Sequence, residues 1–442
     1  MALVIQRGRL IRFGYNVLFA VFFFLSAPYY LWKMVRRGNW RKGFMQRFGC
    51  YDTELRKRIE AAGPIIWIHA VSVGEVNQCV PLQRELQKRL PGYAWLISTT
   101  TATGMAELCR KSGEDVIKIY YPTDFAGSVR RALRLIEPRM LLLVEAEVWP
   151  NMMWAARCRE IPVALVNARL SDRSYARYRK VKFLFAQLFG SLETVCAQSE
   201  GDLARWQELG CRPERITLTG NIKFDAVSTT PPGRVDAAAM LERIGVRADA
   251  KVIVAGSTHD GEEEILARVC SMLRKSLGNI FLVIVPRHME RGARVQSAVE
   301  EQGLLPLRRS RIDSGDWTAG GTNCLIVDTT GELVDFYAAA DLIFVGKSLK
   351  SGGGQNPLEP AALGKPVIFG DKMANFRDIV RILVGSNAVR VVRSELDLRS
   401  TIGKLLENES ELSSLGEAAA RCIAENRGSL GRTVDALENI RV

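Results

Sequence analysis

An acidic residue follows the first strongly apolar segment of the chain, in the run His69-Ala-Val-Ser-Val-Gly-Glu75. Ile65–Val71 has the composition of a buried strand and the pattern from about Val76 to Leu90 is helical, so the chain must turn between them. Glu75 then falls in the first helical turn, where the helix dipole stabilises an anion. A carboxylate there can take a proton from a substrate hydroxyl, or it can serve only as a helix cap.

Two more acidic residues follow a later strand, in Val144-Glu-Ala-Glu-Val-Trp-Pro-Asn151. Glu145 closes an apolar run and Glu147 comes two residues later. The spacing suits a metal site or an acid–base pair, and it also suits a cap for a helix that begins near Pro150. Because no paired aspartates of the DxD type accompany these residues, we predict no metal and no other cofactor.

A lysine ends the last predicted strand of the first half, in Thr219-Gly-Asn-Ile-Lys223-Phe-Asp. An ammonium at this position can stabilise negative charge that develops on a phosphate leaving group. The alternative is an ordinary solvated lysine.

Loops in the second half offer groups that bind anions and hydroxyls. They are Ala255-Gly-Ser-Thr-His-Asp-Gly-Glu-Glu-Glu264, Val285-Pro-Arg-His-Met-Glu-Arg291, Asp328-Thr-Thr-Gly-Glu-Leu333 and Ser351-Gly-Gly-Gly-Gln-Asn-Pro-Leu-Glu-Pro360. The first and last are predicted to present amides to a phosphate or carboxylate at a helix start. Glu359 is suited to accept hydrogen bonds from ribose hydroxyls. The three histidines, at 69, 259 and 288, all lie at strand ends, where packing or capping is the alternative to function.

Strands and helices alternate on both sides of the sequence Thr229-Thr-Pro-Pro-Gly233. Apolar strands between helices predict parallel sheets covered on both faces. The other predicted strands are Trp95–Thr99, Val116–Tyr121, Met140–Val144, Val163–Val166, Thr194–Ala197, Ile216–Thr219, Val252–Ala255, Ile280–Val285, Cys324–Val327, Leu342–Val345, Pro366–Phe369 and Ala388–Val392. Leu307–Gly321 is polar and glycine-rich and is predicted to be a loop, and Leu405–Glu425 to be helical.

The predicted fold is therefore α/β with GT-B architecture: two Rossmann-like doubly wound domains with a cleft between them, and an N-terminal membrane anchor helix. We expect an anchor and basic connector at 1–44, an acceptor-binding domain at 45–227, a linker at 228–248 and a donor-binding domain at 249–442.

The anchor prediction depends on Phe13–Trp32, an apolar run about as long as a membrane-spanning helix. More cations follow the run than precede it, which places the rest of the chain in the cytoplasm. They are Arg7, Arg9 and Arg12 before it, and Lys33, Arg36, Arg37, Arg41, Lys42 and Arg47 after it. The alternatives are a cleaved signal peptide, a buried core helix, and, because of Pro28, a helix that lies in the membrane interface.

Composition narrows the class of partner. A formal net charge of +13 over 442 residues favours an anionic one, but aromatic residues are not interleaved with the cations as in a single-strand binder, so nucleic acid is not expected. Nine cysteines without a CxxC pair indicate reduced thiols in the cytosol.

Taken together, these motifs resemble the 3-deoxy-D-manno-oct-2-ulosonic acid (Kdo) transferases of lipopolysaccharide synthesis, from the N-terminal anchor to about Ile382. The motifs that carry the resemblance are Ser-Val-Gly-Glu75, Glu145-Ala-Glu-Val-Trp-Pro-Asn, Gly220-Asn-Ile-Lys-Phe-Asp, Gly256-Ser-Thr-His, Pro286-Arg-His, Thr330-Gly-Glu and Asn356-Pro-Leu-Glu-Pro.

The resemblance implies a metal-independent, inverting enzyme of the inner membrane that moves Kdo from CMP-Kdo to a lipid A precursor. It implies that Glu75 is the catalytic base and that Glu145 and Lys223 stabilise the transition state. The residues it implies for CMP binding are Pro286, Arg287, Thr330, Gly331, Glu332, Asn356, Pro357, Leu358 and Glu359.

Two positions depart from the family pattern: Gln355 stands where many members have His, and Asp371 follows Gly370 where a Pro is usual. The alternatives to Kdo transfer are a GT-B transferase that uses another sugar nucleotide, and a catalytically silent membrane-anchored protein that binds nucleotide or lipid.

Overall fold

The computed structural model describes residues 2–36, 41, 43–318 and 320–440, so that Arg37 and Lys42 of the basic connector lie outside the described residues. The chain divides into two compact units. The first unit contains the described residues up to Ala226 and those from Arg427 onward, and the second unit is Val227–Asn426.

The first unit contains a parallel sheet of seven strands. They are β1 (Ile65–His69), β2 (Ala94–Thr99), β3 (Ile117–Tyr120), β4 (Met140–Val144), β5 (Val163–Ala168), β6 (Thr194–Ala197) and β7 (Ile216–Leu218), in the order β3-β2-β1-β4-β5-β6-β7. Its helices before residue 227 are α1 (Ala2–Arg36), α2 (Thr53–Glu60), α3 (Val73–Arg89), α4 (Ala102–Lys111), α5 (Ala126–Ile136), α6 (Pro150–Arg157), α7 (Asp172–Lys180), α8 (Lys182–Phe189) and α9 (Glu200–Leu209).

The second unit repeats this arrangement. Its strands are β8 (Lys251–Thr258), β9 (Ile280–Pro286), β10 (Pro306–Arg308), β11 (Cys324–Ile326), β12 (Leu342–Val345), β13 (Val367–Gly370) and β14 (Arg390–Val392), in the order β10-β11-β9-β8-β12-β13-β14. Its helices are α10 (Ala237–Arg243), α11 (Glu262–Leu277), α12 (Gly292–Glu300), α13 (Arg309–Ser314), α14 (Leu333–Ala338), α15 (Leu358–Ala362), α16 (Arg377–Gly385), α17 (Glu395–Glu407) and α18 (Glu409–Asn426). The predicted class of two doubly wound α/β domains is confirmed.

Both faces of the first sheet are covered, which explains why its strands are apolar without alternation. On β1 every residue is buried. Ile65 and Trp67 belong to one core layer, whereas Ile66 and Ile68 belong to the layer on the opposite face. Successive strand residues point to opposite faces, so two helical layers hold this sheet and present its strand ends at one edge.

The position of the last helix differs from the prediction, which assigned all residues up to 442 to the second domain. Helix α19 (Ser429–Glu438) packs on the first unit, where Val434 and Leu437 are buried in the layer that contains Ile66. The carboxylate of Asp225 accepts the N–H groups of Gly428 (2.7 Å) and Leu430 (2.8 Å). The apolar period of α19 predicts a buried face, but it carries no information about which sheet covers that face.

Two predicted irregular segments contain regular structure. The expected linker at 228–248 includes α10 and is held in the second unit by Asp335, whose carboxylate accepts the N–H groups of Gly233, Arg234 and Val235. The predicted loop Leu307–Gly321 is wrong for its first half, which contains part of β10 and all of α13. β10 and α13 are too short to show a hydrophobic period.

Candidate active site

Two of the candidate carboxylates flank the point where the strand order of the first sheet reverses. β1 lies between β2 and β4, and the chain runs outward from β1 in one direction and from β4 in the other. Glu75 follows β1 and Glu145 follows β4. In open parallel sheets, this switch point at the carboxyl ends of the strands is the usual place for a ligand.

Glu75 is the third residue of α3 and caps its own helix. Ser72 Oγ accepts from the Glu75 N–H at 3.4 Å, and the Glu75 carboxylate in return accepts from the Ser72 hydroxyl (2.9 Å) and the Val71 N–H (2.7 Å). This reciprocal pattern is close to a capping box. The capping role that the sequence left open is therefore present, and it fixes the direction of the carboxyl group.

Burial changes the acidity of this cap. Only 9% of the Glu75 surface is exposed, and desolvation raises its pKa to about 7. The hydrogen bonds from Val71 and Ser72 oppose that rise, while the charges of Glu145 and Glu147 add to it. A carboxyl group that titrates near neutral pH has the acidity that suits a general base, because both of its protonation states are accessible.

Glu145 and Lys223 form a partly exposed ion pair, with 3.6 Å between Lys223 Nζ and Glu145 Oε1. The backbone of Glu145 is left-handed, with φ of 59°. This conformation costs a non-glycine residue about 1–3 kcal/mol and is concentrated at functional sites. Lys223 lies in a short 3-10 turn, Ile222–Phe224, that Asn221 caps by accepting the Lys223 N–H at 3.0 Å.

Two amide side chains that we did not predict connect these groups. Gln78 donates to Glu145 Oε1 at 3.3 Å and accepts from Asn167, whose Oδ1 accepts the Ile222 N–H at 3.2 Å. Asn167 is fully buried and has a left-handed backbone, with φ of 50°. Gln78 and Asn167 thus tie Glu145 to the turn that carries Lys223. A signal did exist, because Gln78 follows Glu75 by one helical turn and Asn167 interrupts an apolar strand.

Three threonines hold the turn that presents Glu75. The hydroxyls of Thr99, Thr100 and Thr101 lie 3.1, 3.2 and 3.1 Å from the Val71 carbonyl oxygen. The N–H of the same residue, Val71, donates to Glu75. The start of α4 is therefore connected through a single residue to the candidate base.

Glu147, the other acidic residue after β4, accepts from Trp149 Nε1 at 3.1 Å. Burial raises its pKa, the Trp149 hydrogen bond lowers it, and the charge of Glu145 raises it further. Among the described residues no group of three or more His, Cys, Asp or Glu side chains is placed to hold a metal ion.

In the second unit, the three segments implied for CMP binding follow β9, β11 and β12, which are close in the sheet order. Because the strands are parallel, their carboxyl ends lie at one edge. Pro286 ends β9, and Arg287 follows it. The side chain of Arg287 is exposed, and its backbone N–H donates to the Thr258 carbonyl oxygen at 3.1 Å. The rings of His259 and His288 meet edge to face, 5.8 Å apart.

The second segment, Thr330-Gly331-Glu332, lies after β11. Glu332 pairs with Arg309, at 3.2 Å between Nε and Oε2. The backbone of Gly331 is left-handed, and a Cβ at this position would lie 2.0 Å from Arg234 Nη1. A guanidinium group therefore covers this glycine, and the positive φ at this position favours glycine.

The third segment differs in detail from the prediction. Pro357 precedes α15, and Glu359 lies in its first turn as expected. The Leu358 N–H, however, donates to Asn356 Oδ1 at 3.1 Å instead of facing outward. Asn356 also donates to Glu359 at 3.1 Å, and Gln355 Nε2 lies 3.4 Å from His259 Nε2.

The predicted anion cradle after β8 is occupied by the protein itself. The fully buried carboxylate of Glu262 accepts four N–H groups at 2.7–3.0 Å. These donors are His259, Lys347, Ser348 and Leu349. The expectation that the amides of this loop bind a ligand is therefore wrong for the His259 N–H. The other three donors lie outside the predicted loop.

Comparison with known proteins decides the family. The model of the 3-deoxy-D-manno-octulosonic-acid transferase (kdotransferase) family matches residues 42–226. The chain is 34% identical over 406 residues to a 3-deoxy-D-manno-octulosonic acid transferase of Haemophilus influenzae, covering 91% of this chain and 92% of that protein. The chain belongs to the Kdo transferase family.

A second Kdo transferase, from Bordetella pertussis, is also 34% identical, over 93% of this chain and 95% of its own length. The fold is shared more widely. A UDP-GlcNAc 2-epimerase from Neisseria meningitidis, solved bound to UDP-GlcNAc, superposes with a TM-score of 0.57 at 16% identity, over 85% of this chain and 100% of the epimerase.

As a member of the Kdo transferase family, the protein is a glycosyltransferase. The part matched by the family model contains Glu75, Glu145 and Lys223. The relatives from Haemophilus and Bordetella align over more than nine-tenths of this chain, and so they extend the likeness into the second unit.

Proposed function

We propose that this Kdo transferase moves Kdo from CMP-Kdo to a lipid A precursor, lipid IVA, and inverts the configuration at the anomeric carbon. The observation that carries the proposal is the buried carboxyl group of Glu75, with its pKa raised to about 7, at the switch point of the first sheet. A sugar hydroxyl needs such a base because it is a weak nucleophile at neutral pH.

In the proposed reaction, Glu75 accepts the proton of the acceptor hydroxyl as the hydroxyl oxygen attacks the anomeric carbon. The bond from that carbon to the phosphate oxygen of CMP breaks with its electron pair, and CMP leaves. A single displacement from the opposite side inverts the centre. Lys223, oriented by Glu145, supplies fixed positive charge for the negative charge that develops.

For the donor, we propose that the three segments of the second unit bind CMP. Arg287 offers an exposed guanidinium group to the phosphate. Glu359, oriented by Asn356, is suited to accept hydrogen bonds from the ribose hydroxyls. No metal or other cofactor enters the proposed reaction.

For location, we propose the cytoplasmic face of the bacterial inner membrane, with α1 as the anchor and anionic lipid as its partner. Leu10–Lys33 is a helical segment long and apolar enough to cross a membrane. A lipid-linked acceptor and a soluble sugar nucleotide meet at such a surface.

The test is transfer by the full-length purified protein in phospholipid vesicles that contain lipid IVA. We expect Kdo-lipid IVA to form from CMP-Kdo, in the presence of a chelator, and not from UDP- or GDP-sugars. The anomeric configuration of the product, read by NMR, should be opposite to that of the donor. Transfer from another sugar nucleotide alone, or retention of configuration, would contradict the proposal.

A further inference from the structure

Helix α1 has two distinct sides. Between Leu10 and Tyr29, the described side chains that are exposed and those that are half-buried alternate with the helical period. The exposed residues are Leu10, Phe13, Val17, Leu18, Val21, Phe22, Phe24, Leu25, Pro28 and Tyr29. At 3.6 residues per turn, they cover about half of the circumference, and all of them are apolar or aromatic.

The other side is joined to the first unit by specific polar contacts. Tyr15 donates its hydroxyl hydrogen to Asp124 Oδ2 at 2.8 Å, and Asn16 Oδ1 accepts from Asn151 Nδ2 at 2.9 Å. Asp124 is almost completely buried and also accepts the N–H groups of Asn151 (2.9 Å) and Met152 (3.0 Å) at the start of α6. Tyr15 therefore binds to a carboxylate that is part of the folded core.

Aromatic contacts extend this attachment along the helix. Phe19 meets Phe125 at 5.1 Å and Trp149 at 6.5 Å between ring centroids, and Phe23 meets Phe125 at 4.8 Å. About two turns before Phe19, the Arg12 guanidinium group lies 5.7 Å from the centre of the Trp154 ring. The attachment thus runs from Arg12 to Phe23, which is half of the apolar segment.

This attachment leaves too little helix to cross a bilayer. Beyond Phe23, α1 continues only to Arg36, and 13 residues at 1.5 Å each extend about 20 Å. The hydrocarbon core is about 30 Å thick. If residues 12–23 entered that core, Asp124 and the start of α6 would enter it with them, at the cost of burying a polar cluster in lipid.

The exposed side nevertheless requires an apolar partner, because contiguous apolar surface of this kind marks an interaction site. Its borders are cationic and aromatic, with Arg12 near one end and Trp32, Lys33 and Arg36 near the other. A bilayer surface that contains anionic lipid fits both features, because acyl chains cover the apolar side and headgroups meet the cations.

We propose that α1 lies along the membrane surface instead of crossing it, with its exposed apolar side among the acyl chains and its other side attached to the first unit. This inference rests on the proposed membrane location of the enzyme. It places the starts of α5 and α6, which contact α1, next to the bilayer.

Photo-crosslinking in the full-length protein tests the two sides of α1 with a matched pair of positions. Benzoylphenylalanine replaces Phe19, on the attached side, in one variant and Phe22, which is 61% exposed, in the other. In anionic vesicles, we expect position 22 to crosslink to lipid and position 19 to crosslink to the peptide that contains Phe125 or Trp149. Crosslinking to lipid at both positions would overturn the proposal.

Tags at the two ends of the chain provide a second measurement. We expect protease in inside-out membrane vesicles to remove tags at the N terminus and at the C terminus equally, whereas a spanning helix would protect the N-terminal one and overturn the proposal. Kdo transfer is assayed in the same vesicles. If the protein does not bind to the vesicles but still transfers Kdo to lipid IVA in detergent, the inference fails while the proposed reaction stands.

Discussion

Glu75 combines two roles that are often treated as alternatives for a carboxylate at the start of a helix. Its hydrogen bonds with Ser72 and Val71 are those of a cap, yet its pKa, raised by burial to about 7, is that of a base. The roles are compatible because the cap fixes the orientation of the carboxyl group, while burial determines its proton affinity.

Glu75→Gln should separate these roles. Gln keeps the size of the side chain and an amide oxygen that can accept the Val71 N–H, but it cannot take a proton. We expect turnover to fall by ~10²–10⁴-fold, the usual contribution of general base catalysis, with little change in CMP-Kdo affinity. Steady-state kinetics and calorimetry measure the two quantities. Turnover within about threefold of the original enzyme would leave Glu75 as a cap only.

The pH dependence of turnover gives an independent prediction. A base works in its ionised form, and the pKa of Glu75 is raised to about 7, so the ionised fraction grows as the pH passes through that value. We expect the rate to rise between pH 6 and 8 and then level off. In Glu75→Gln this rise should disappear; its persistence in that variant would assign it to another group.

Arg287 carries the prediction for the donor. Arg287→Ala removes a charge-assisted contact to phosphate, and such hydrogen bonds contribute about 1.5–3 kcal/mol. We therefore expect CMP-Kdo to bind about 10–150-fold more weakly in calorimetry, with thermal stability unchanged. Arg421→Ala is the matched control, because Arg421 is an exposed arginine on α18 of the same unit. Equal donor affinity in the two variants would contradict the assignment.

The residues that bear charge at strand ends could be proposed from the sequence, because acidic and basic groups after apolar runs are conspicuous. For Gln78 and Asn167 the sequence offers only their positions, one turn after Glu75 and within an apolar strand, because a neutral amide does not by itself indicate a function. Their importance arises from side-chain contacts between α3, β4 and β5, which depend on the sheet order.

At the scale of elements, the turn after β1 depends on α4. Thr101 accepts the Gly104 N–H at 3.0 Å and donates to the Val71 carbonyl. A Cβ on Gly104 would lie 2.5 Å from Thr99 Oγ1 and 2.8 Å from Thr101 Oγ1. The glycine is needed because these hydroxyls occupy the space of a side chain.

Gly104→Ala should therefore disturb the candidate base from a distance. We expect a loss of about 1–3 kcal/mol in the free energy of unfolding, as for overpacked cores, together with reduced turnover. Gly127→Ala on α5 is the control, since the nearest atom to its new Cβ is the flexible Arg131 Nη1 at 3.6 Å. Denaturant unfolding and the transfer assay measure both. Equal behaviour of the two variants would show that the threonine contacts are dispensable.

Apolar strands were predictable, whereas the short polar elements β10 and α13 were not. Strands such as β4 and β9 are continuous apolar runs, and their positions agree with the prediction to within one residue. α13 and β10 have three to six residues each, fewer than two helical turns or a recognisable alternation. Tertiary contacts, and not local pattern, determine such elements.

At the scale of the molecule, the return of α19 to the first unit has a measurable consequence. Val434 and Leu437 on α19 and Ile440 just after it are buried, and each buried aliphatic side chain contributes about 1.5–3 kcal/mol. Together these approach the ~5–15 kcal/mol by which a domain is stable.

Deletion of residues 427–442 should therefore unfold the first unit and spare the second. In limited proteolysis, we expect fragments within Val227–Asn426 to remain protected while peptides from β1–β7 are digested. The matched control is Arg89→Ala, which removes only the exposed ion pairs with Asp435 and Glu438 and should leave both units resistant. Protection of the first unit after the deletion would show that α19 is not essential to it.

The position of α19 also determines the order in which the two units can complete their folding during synthesis. The strands of the first unit are synthesised before Val227, but α19, which covers part of one of their faces, follows Asn426, about 200 residues later. At ~5–20 residues per second, translation of the intervening unit takes roughly 10–40 s. During that interval, the part of this face that α19 will cover, next to α3, β5 and β6, is exposed to other apolar partners. The second unit, in contrast, can fold as soon as it is made. The half of the enzyme that carries Glu75 is thus the first to be started and the last to be finished.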